Sequence, residues 1–397
     1  MRVLYLTFYF EPDLSAGSFR NTALSAELAR QLAPNGGQVH VITTQPNRYP
    51  SFTPPAPSHE QRGNLTIDRI PVPAHQRGRF DQMHSFLTYF RAVHRLVKQG
   101  QYELIFVSSS RLFTALLGAQ LSRRSGTPLV LDVRDLFREV MLDMLGNPFR
   151  QLLAPGLWLA ETYTFGRARH INLVSEGFQD YFSRFDRASY SLFTNGIDAE
   201  FLDMPSSVLP ASDRPKIIFY AGNIGAGQAL HTLIPEAARL LGSGYQFFVI
   251  GDGGMVAELK TALLLTAVKN VELYPPVNRQ TLLDLYQQAD YLLVHLSEVR
   301  ALKRVLPSKL FEYGATDKPI LAGLTGYPAQ FVRQHLDNVI LFNPGDAYSL
   351  ATQLRETPYR LQNRPEFRRQ FNRQGIVEDM ARRIRLVIEP EQIGSTG

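Results

Sequence analysis

The fold is decided by the stretch Phe219-Tyr220-Ala221-Gly222-Asn223-Ile224-Gly225-Ala226-Gly227, in which an apolar strand runs into a glycine-rich turn. A helical pattern follows from near Ala229. One unit later, Ile250-Gly251-Asp252-Gly253-Gly254 repeats the strand and the turn. Strands that alternate with helices pair in parallel through right-handed crossovers, so these stretches predict a doubly wound α/β sheet.

The same alternation extends outward through both halves of the chain. In the first half it predicts strands at residues 3–7, 39–43, 65–70, 104–108, 129–132 and 171–174, with helices at 18–32, 81–98, 113–123 and 152–167. In the second half it predicts strands at 216–221, 247–250, 271–274, 291–294, 320–322 and 340–342, each followed by a helix. Residues 44–64, rich in Pro, Ser and Gln, are predicted to form a long loop.

The pattern breaks into Pro, Ser and Asp shortly before residue 215, which predicts two Rossmann-like domains. We place the first at 1–198, a linker at 199–214, the second at 215–375, and a final segment, 376–397, as a helix crossing back to the first domain. A chain of 397 residues is long enough for two such cores. Because doubly wound sheets bind ligands at the carboxyl ends of their strands, we expect the domains to face a central cleft.

Composition excludes several classes of protein. The apolar fraction of 44% and the charged fraction of 20% are typical of globular chains. The absence of cysteine excludes disulfides and thiol chemistry and suits a reducing compartment. Since no signal sequence and no apolar run of about 20 residues is visible, we expect a cytoplasmic protein. The net charge of +6 fits an anionic ligand or membrane surface, and no nucleic acid is expected as a partner.

Two glycine turns on successive strands would line one side of a single crevice. Glycine lets the backbone approach a ligand, and amides at a helix start attract phosphate. The alternative is an ordinary strand-to-helix turn that needs positive φ angles. The candidate nucleotide-binding residues in these turns are Gly222, Asn223, Gly225, Gly251, Asp252 and Gly253.

A third segment, Leu306-Pro307-Ser308-Lys309-Leu310-Phe311-Glu312-Tyr313-Gly314-Ala315, predicts a helix with a polar first turn. Ser308 and the first amides can hold a phosphate, and Lys309 adds a point charge. Glu312 can accept two hydrogen bonds from a diol such as a ribose. The alternative is that Glu312 only complements the helix dipole and that Lys309 is solvated.

The order of these segments resembles glycosyltransferase family 4, the group 1 glycosyltransferases of the GT-B fold, over nearly the whole chain. The matching pieces are residues 10–12 with Gly17, 128–136, 174–178, 195–198, 220–223, 250–253, 286–290 and 307–313. The resemblance implies transfer of a sugar from a nucleotide-diphosphate donor to a saccharide or lipid-linked acceptor, as in bacterial cell-surface polysaccharide synthesis. It places the nucleotide in the second domain and the acceptor in the first.

By that resemblance, Glu312 corresponds to the second glutamate of the family's paired-glutamate motif, which holds the donor ribose. Arg304 stands where the first glutamate is expected, which indicates a subgroup that handles the sugar differently. The family's basic pair near the first glycine turn is absent, and we expect Lys309 and Arg304 to supply that charge.

On the acceptor side, Arg134-Asp135 stands where the family often has His-Asp. Arg134 could neutralise diphosphate or contact the acceptor, but it cannot act as a base. Asp135 and Glu11 are candidates for acceptor contacts, or else caps of strand-to-helix turns; Gly17 and Arg20 are placed on the same side. The resemblance implies a retaining reaction driven by stabilisation of the leaving group, with no metal or other cofactor.

Residues 74–98 interleave basic and aromatic side chains, which predicts either an amphipathic helix at an anionic membrane surface or one whose aromatic residues face the core. A lipid-linked acceptor would favour peripheral association with the inner face of the plasma membrane. Two other functions remain open: a sugar-nucleotide 2-epimerase of the same fold, which would act on donor alone, and a catalytically degenerate protein that binds sugar nucleotide.

Overall fold

The structure, a computed structural model, describes residues 1–49, 51–73, 79–98, 100–109, 112–143, 147–210 and 213–388. The chain forms two compact units, Met1–Asn195 with Gln374–Gly397, and Gly196–Arg373. Each unit is built around one predominantly parallel sheet covered by helices. The predicted pair of doubly wound α/β domains is therefore confirmed.

The first sheet consists of β1 (Arg2–Leu6), β2 (Gln38–Thr44), β3 (His59–Arg62), β4 (Leu65–Ile70), β5 (Leu104–Ser109), β6 (Leu129–Val133), β7 (His170–Leu173) and β8 (Ser189–Leu192). The second consists of β9 (Lys216–Asn223), β10 (Tyr245–Asp252), β11 (Val271–Tyr274), β12 (Tyr291–His295), β13 (Ile320–Gly323) and β14 (Val339–Phe342). The strand order is β3-β4-β2-β1-β5-β6-β7-β8 in the first sheet and β11-β10-β9-β12-β13-β14 in the second.

Helices occupy most of the connections between strands. They are α1 (Ala16–Leu32), α2 (Arg79–Val97), α3 (Leu112–Ser125), α4 (Phe137–Asp143), α5 (Asn147–Gly166), α6 (Gln179–Phe182), α7 (Ala199–Leu202), α8 (Leu230–Leu241), α9 (Val256–Thr266), α10 (Arg279–Gln288), α11 (Lys309–Gly314), α12 (Tyr327–His335), α13 (Ala347–Glu356), α14 (Pro365–Gln370) and α15 (Arg373–Leu386). Short 3-10 turns add Ala33–Asn35, Glu176–Phe178, Gly242–Gly244 and Arg300–Lys303.

Strand β9 shows why the central strands read as continuous apolar runs. Its side chains alternate between two cores, with Phe219 and Ala221 in one and Ile218 and Tyr220 in the other. A parallel strand covered by helices on both faces must be apolar at every position. The strand order reverses between β9 and β12, and a doubly wound sheet places its ligand crevice at such a switch point.

The core of the first unit is completed by the last described helix. Val377, Met380 and Ala381 of α15 are buried in the same apolar cluster as Val3 and Tyr5 of β1. Helix α15 therefore belongs structurally to the first unit, although the whole of the second unit separates it from β1 along the chain.

Three segments differ from the sequence-based expectations. Within the predicted loop 44–64, His59–Arg62 form β3, an edge strand antiparallel to β4. Ser189–Leu192 form β8 at the opposite edge. The predicted linker begins with α7 (Ala199–Leu202), whose Phe201 is fully buried in the second unit. The edge strands were missed because short strands with polar residues have no apolar periodicity to detect.

The predicted membrane segment 74–98 largely corresponds to α2. Residues 74–78 lie outside the described residues, and so do the side chains of residues 79–82. Among the described side chains, Phe86, Tyr89 and Val93 are buried, whereas Met83 and Leu87 are exposed. Packing against the protein core therefore accounts for much of the aromatic content of α2. Within the described ranges, none of the helices is both long and apolar enough to cross a bilayer.

Candidate functional site

The predicted glycine turns lie side by side at the carboxyl ends of β9 and β10, where Gly222 is the register partner of Gly251. Gly251 has φ +151°, and a Cβ there would lie 1.8 Å from the carbonyl oxygen of Gly222. Gly222 has φ +143°, and a Cβ there would lie 2.6 Å from Nζ of Lys309. Both positions require glycine because a side chain would strike backbone or displace this ammonium group.

Lys309 is thereby brought against the end of β9, in the part of the sheet where the strand order reverses. Its ammonium lies 5.5 Å from the ring centre of Tyr220 and 6.0 Å from that of Tyr313. Burial lowers the pKa of Lys309, while the charge of Glu312 opposes this shift. A cation held by aromatic faces and short of water gains most from an incoming anion, which fits a phosphate-binding role.

Glu312 lies in the first turn of α11. Its Oε2 accepts a hydrogen bond of 2.9 Å from Oη of Tyr286. Burial, and then the charge of Glu312, raises the pKa of Tyr286 well above its usual value, so the phenol keeps its proton and donates. A carboxylate has about four acceptor positions, and Glu312 therefore retains capacity for the two hydroxyls of a diol.

Arg279 and Asp198 extend this cluster and were missed by the sequence reasoning. Nη2 of Arg279 lies 2.5 Å from Oδ2 of Asp198, and its guanidinium lies 4.5 Å from the ring centre of Phe201. Burial acts to lower the pKa of Arg279, but the charges of Glu312 and Asp198 raise it overall. The donor-side cluster is therefore Lys309, Glu312, Tyr286, Arg279 and Asp198.

The loops around this cluster are tied together. Gly227 O, after β9, accepts a hydrogen bond of 2.8 Å from Ser297 N, after β12. Asn223 Nδ2 donates to Gln228 Oε1 at 2.8 Å, with Gly225 beside this amide. These hydrogen bonds link the loop after β9 to the loop after β12 and fix the conformation of the loop after β9.

The remaining donor-side candidates have the following positions. Asp252 Oδ1 accepts a hydrogen bond of 2.7 Å from the amide of Gly253, which stabilises the second glycine turn. Ser308 is the N-cap of α11 but makes no capping hydrogen bond through its side chain. Arg304 follows the 3-10 turn Arg300–Lys303 and is half-buried.

In the first unit, Arg48 acts on the pKa values of two carboxyl groups, those of Asp13 and Asp135. Burial raises the pKa of Asp135 to about 6, opposed by Arg134 and Arg48. Burial likewise raises the pKa of Asp13 to about 6, opposed by two backbone hydrogen bonds and by Arg48. Oδ1 of Asp13 accepts from the amides of Asn47 and Arg48 at 3.0 and 2.9 Å. Among the described residues, Oδ2 of Asp13 has no hydrogen-bond partner.

Arg134 belongs to the same region of the first unit. Its Nη2 donates to Oδ1 of Asn195 at 3.3 Å, and a Cβ at Gly17 would lie 3.8 Å from its Cζ. The structure therefore brings Arg134 and Gly17 together, as the sequence grouped them. Asp13 and Arg48 were missed, although Asp13 directly follows the quoted motif at residues 10–12.

Arg20 and Glu11 are engaged elsewhere. Arg20 is fully buried and binds both oxygens of Asp132, at 2.9 and 3.1 Å. It also donates to the carbonyl groups of Phe193 and Thr194. Glu11 forms an ion pair with Arg62, and both side chains are partly exposed. Arg20 thus has a structural role and no face open to a saccharide, and Glu11 is paired at the surface.

Among the residues that the structure describes, no group of three or more His, Cys, Asp or Glu side chains is arranged to hold a metal ion. Independence from metal stays a prediction.

Comparison with solved structures defines the class of fold. WaaG, a glycosyltransferase involved in lipopolysaccharide biosynthesis, aligns with a TM-score of 0.61 at 15% identity, covering 98% of this chain and 97% of that one. Anabaena HepE, solved with UDP and glucose, aligns with a TM-score of 0.60 at 13% identity over 98% and 97% of the two chains. A trehalose-phosphate synthase of Burkholderia xenovorans reaches 0.69 at 13% identity over 96% and 99%. The fold is therefore GT-B, as predicted.

Sequence comparison then defines the family. The glycosyl transferase 4-like domain matches residues 23–196, and the glycosyl transferases group 1 domain matches residues 206–376. A putative colanic acid biosynthesis glycosyl transferase, WcaI of Escherichia coli K12, is 26% identical over 335 residues, covering 78% of this chain and 80% of that protein. The chain belongs to the group 1 glycosyltransferases and is an enzyme of that class.

Proposed function

We propose that this glycosyltransferase moves a sugar from a nucleotide-diphosphate donor, held by the second unit, to a saccharide or lipid-linked acceptor bound by the first. The main support is the placement of Lys309, Gly222 and Glu312 at the switch point of the second sheet. The similar HepE structure was solved in complex with UDP, and WcaI and WaaG are named for colanic acid and lipopolysaccharide synthesis. We therefore propose UDP-sugar as the donor and a cell-surface polysaccharide as the product.

Each end of the donor has a matching group in this proposal. The ammonium of Lys309 binds the diphosphate, because its neighbours are aromatic rings and a glycine that leaves it room. The carboxylate of Glu312 accepts hydrogen bonds from the ribose diol, and Tyr286 fixes its orientation. The charge of Glu312 raises the pKa of Arg279, so a guanidinium cation stands close to the carboxylate that we assign to the ribose.

Stabilisation of the departing nucleoside diphosphate then supplies most of the rate enhancement. As the bond from the anomeric carbon to the diphosphate breaks, negative charge grows on the leaving oxygen near Lys309. The acceptor hydroxyl attacks the anomeric carbon with retention of configuration, and its proton passes to the departing diphosphate oxygen. On the acceptor side we propose Arg134, Asp135 and Asp13; Arg20 is not included because it is buried against Asp132.

The donor pocket can be tested by thermal shift with uridine, UDP and 2′-deoxy-UDP. A ligand that binds only the folded state at about 100 times its Kd stabilises that state by about 2.7 kcal/mol. We expect Lys309→Ala to reduce the extra stabilisation that UDP gives over uridine. We expect Glu312→Ala to remove the difference between UDP and 2′-deoxy-UDP, since that difference reports the ribose contact.

A matched control is Lys260→Ala, which removes an exposed lysine of α9 in the same unit. This variant should respond to all three ligands as the parent does. Equal responses of the parent, Lys309→Ala and Glu312→Ala would show that the nucleotide binds elsewhere and would refute the assigned pocket.

A further inference from the structure

Helix α5 exposes an apolar stripe to solvent. Phe149, Leu152, Leu153 and Leu159 follow the spacing of one helix face and are 62%, 74%, 43% and 60% exposed. Trp158 is 45% exposed and lies about 100° around the helix from Leu159, outside the stripe. Single exposed apolar residues are ordinary, but a continuous row of large ones on one helix indicates an interaction surface.

The stripe is separate from the face by which α5 is anchored. On that face, Leu157 packs with Leu112 of α3 and Leu142 of α4 in a small buried cluster. Ala154 adds to the same contacts. Helix α5 therefore has two apolar faces, one covered by the first unit and one directed outward.

The charges around the stripe are predominantly basic. Arg150 and Glu161 are the charged residues of α5, and Glu161 is only 2% exposed and pairs with Arg184. The last turn of the neighbouring α3 exposes Arg123 and Arg124. Asp143, at the end of α4, is an exposed acidic residue on the helices that contact α5.

We propose that this stripe docks the enzyme on an anionic phospholipid bilayer, with α5 lying in the plane of the interface. The leucines and Phe149 enter the boundary between headgroups and acyl chains, and Trp158 lies at headgroup level. Arg123, Arg124 and Arg150 face the lipid phosphates, whose surface potential attracts basic groups. The bilayer is the favoured occupant because the exposed charges on these helices are mainly positive, which complements anionic lipid headgroups.

This surface differs from the segment 74–98 that the sequence suggested, because α2 turns most of its described aromatic residues inward. The proposal goes beyond donor binding and does not depend on sugar transfer. Vesicle binding is measured without donor or acceptor, so its failure and the failure of the donor-pocket assignment are distinguishable.

The chain has one tryptophan, Trp158, so its intrinsic fluorescence reports on α5 alone. The full-length protein is mixed with vesicles of phosphatidylcholine, with or without phosphatidylglycerol, and fluorescence and co-sedimentation are measured. We expect a blue shift and co-sedimentation with the anionic vesicles, and much weaker binding to the neutral ones. Added salt should reduce the binding because it screens the arginines.

The variant Leu152→Ser with Leu159→Ser should weaken partitioning at least about tenfold, since two leucines lose their burial in lipid. The matched control is Leu264→Ser with Leu265→Ser, a pair on α9 of the second unit that is 80% and 82% exposed. It should bind vesicles as the parent does. Equal partitioning of all three proteins, no blue shift in the parent, or a lipid-independent dimer abolished by the α5 changes would overturn the proposal.

Discussion

The candidate sites of the two units differ in which ionisable groups have their pKa values shifted by burial. The second unit has a partly buried lysine, Lys309, whose pKa is lowered by burial. The first unit has the buried Asp13 and the partly buried Asp135, whose carboxyl pKa values are raised to about 6 by the loss of water. In both units burial favours the neutral form, so each site gains from a ligand that restores the lost hydration. That ligand is an anion for Lys309 and a hydrogen-bonding hydroxyl group for the carboxyl groups.

The units also differ in how these groups are positioned. In the second unit, the backbone itself makes room, because Gly222 and Gly251 allow β9, β10 and Lys309 to approach one another. In the first unit, side-chain pairs provide the order, above all the ion pair of Arg20 with Asp132. The comparison predicts that the second unit is destabilised most by substitutions that add a side chain at its glycines. The first unit should be destabilised most by substitutions that remove one partner of a buried ion pair.

The largest effect is expected from Gly251→Ala. A Cβ at this position meets a backbone oxygen at 1.8 Å, so β9 and β10 cannot keep their register. We expect a loss of about 5 kcal/mol or more in the free energy of unfolding, measured by urea denaturation. Gly254→Ala is the control, because a Cβ there meets nothing within 4 Å, and it should be nearly neutral.

Gly222→Ala should differ from Gly251→Ala in its effect on stability. Its Cβ would meet the mobile end of Lys309 rather than backbone, so its cost in stability should be smaller while UDP binding is weakened. If Gly251→Ala were as stable as Gly254→Ala, the fold would not depend on glycine where β9 and β10 approach each other. The proposed difference between the two units would then be refuted.

The next effect concerns the first unit. Arg20→Ala leaves Asp132, which is 0% exposed, as a buried charge without its partner. We expect a loss of about 3 to 5 kcal/mol in unfolding free energy, measured by denaturation. Arg382→Ala, which breaks an exposed pair with Asp379, should have little effect. If the Arg20→Ala enzyme were as stable as the parent and only its KM for the acceptor were raised, Arg20 would contact the acceptor, as the sequence analysis predicted.

The smallest effect is a pH dependence of stability from Asp135. Its pKa is about 6 in the folded protein, above the ordinary value of 3.8. Between these values the folded state holds a proton that the unfolded chain releases, so stability falls as pH rises through this window. Asp135→Asn removes this contribution. Because Asp135 is partly exposed, we expect the variant to be more stable by only about 1 to 2 kcal/mol above pH 6.

Urea denaturation at several pH values measures this difference, which should shrink toward pH 4. Asp143→Asn, at an exposed position, is the control and should show no such trend. A constant gap between Asp135→Asn and the parent across the whole range would show that the carboxyl group is not the source.

The sequence was most informative where local pattern and tertiary environment agree. Strands such as β9 are buried on both faces, which produces the apolar runs that predicted them. Lys309 and Glu312 are three residues apart in one helix, so their proximity follows from helix geometry. The glycine turns were visible because their conformations exclude other residues.

Contacts between residues that are far apart in the sequence could not be predicted from local patterns. Arg279 and Asp198 are separated by 81 positions, and Arg20 and Asp132 by 112. Nothing in the local pattern around Arg20 distinguishes a buried arginine from a solvated one. The same applies to the convergence of Asp13 and Asp135 on Arg48, which depends on three separate loops of the first unit.

The position of α15 has a consequence for biosynthesis. Residues 196–373 form one continuous stretch, so the second unit can fold as soon as it has left the ribosome. The unit that emerges earlier must wait, because Val377, Met380 and Ala381 complete the cluster around Val3 and Tyr5. Nascent chains usually fold from the N-terminal domain onward. We therefore expect the first unit to complete its core last, with the apolar surface that α15 covers exposed until the end of translation.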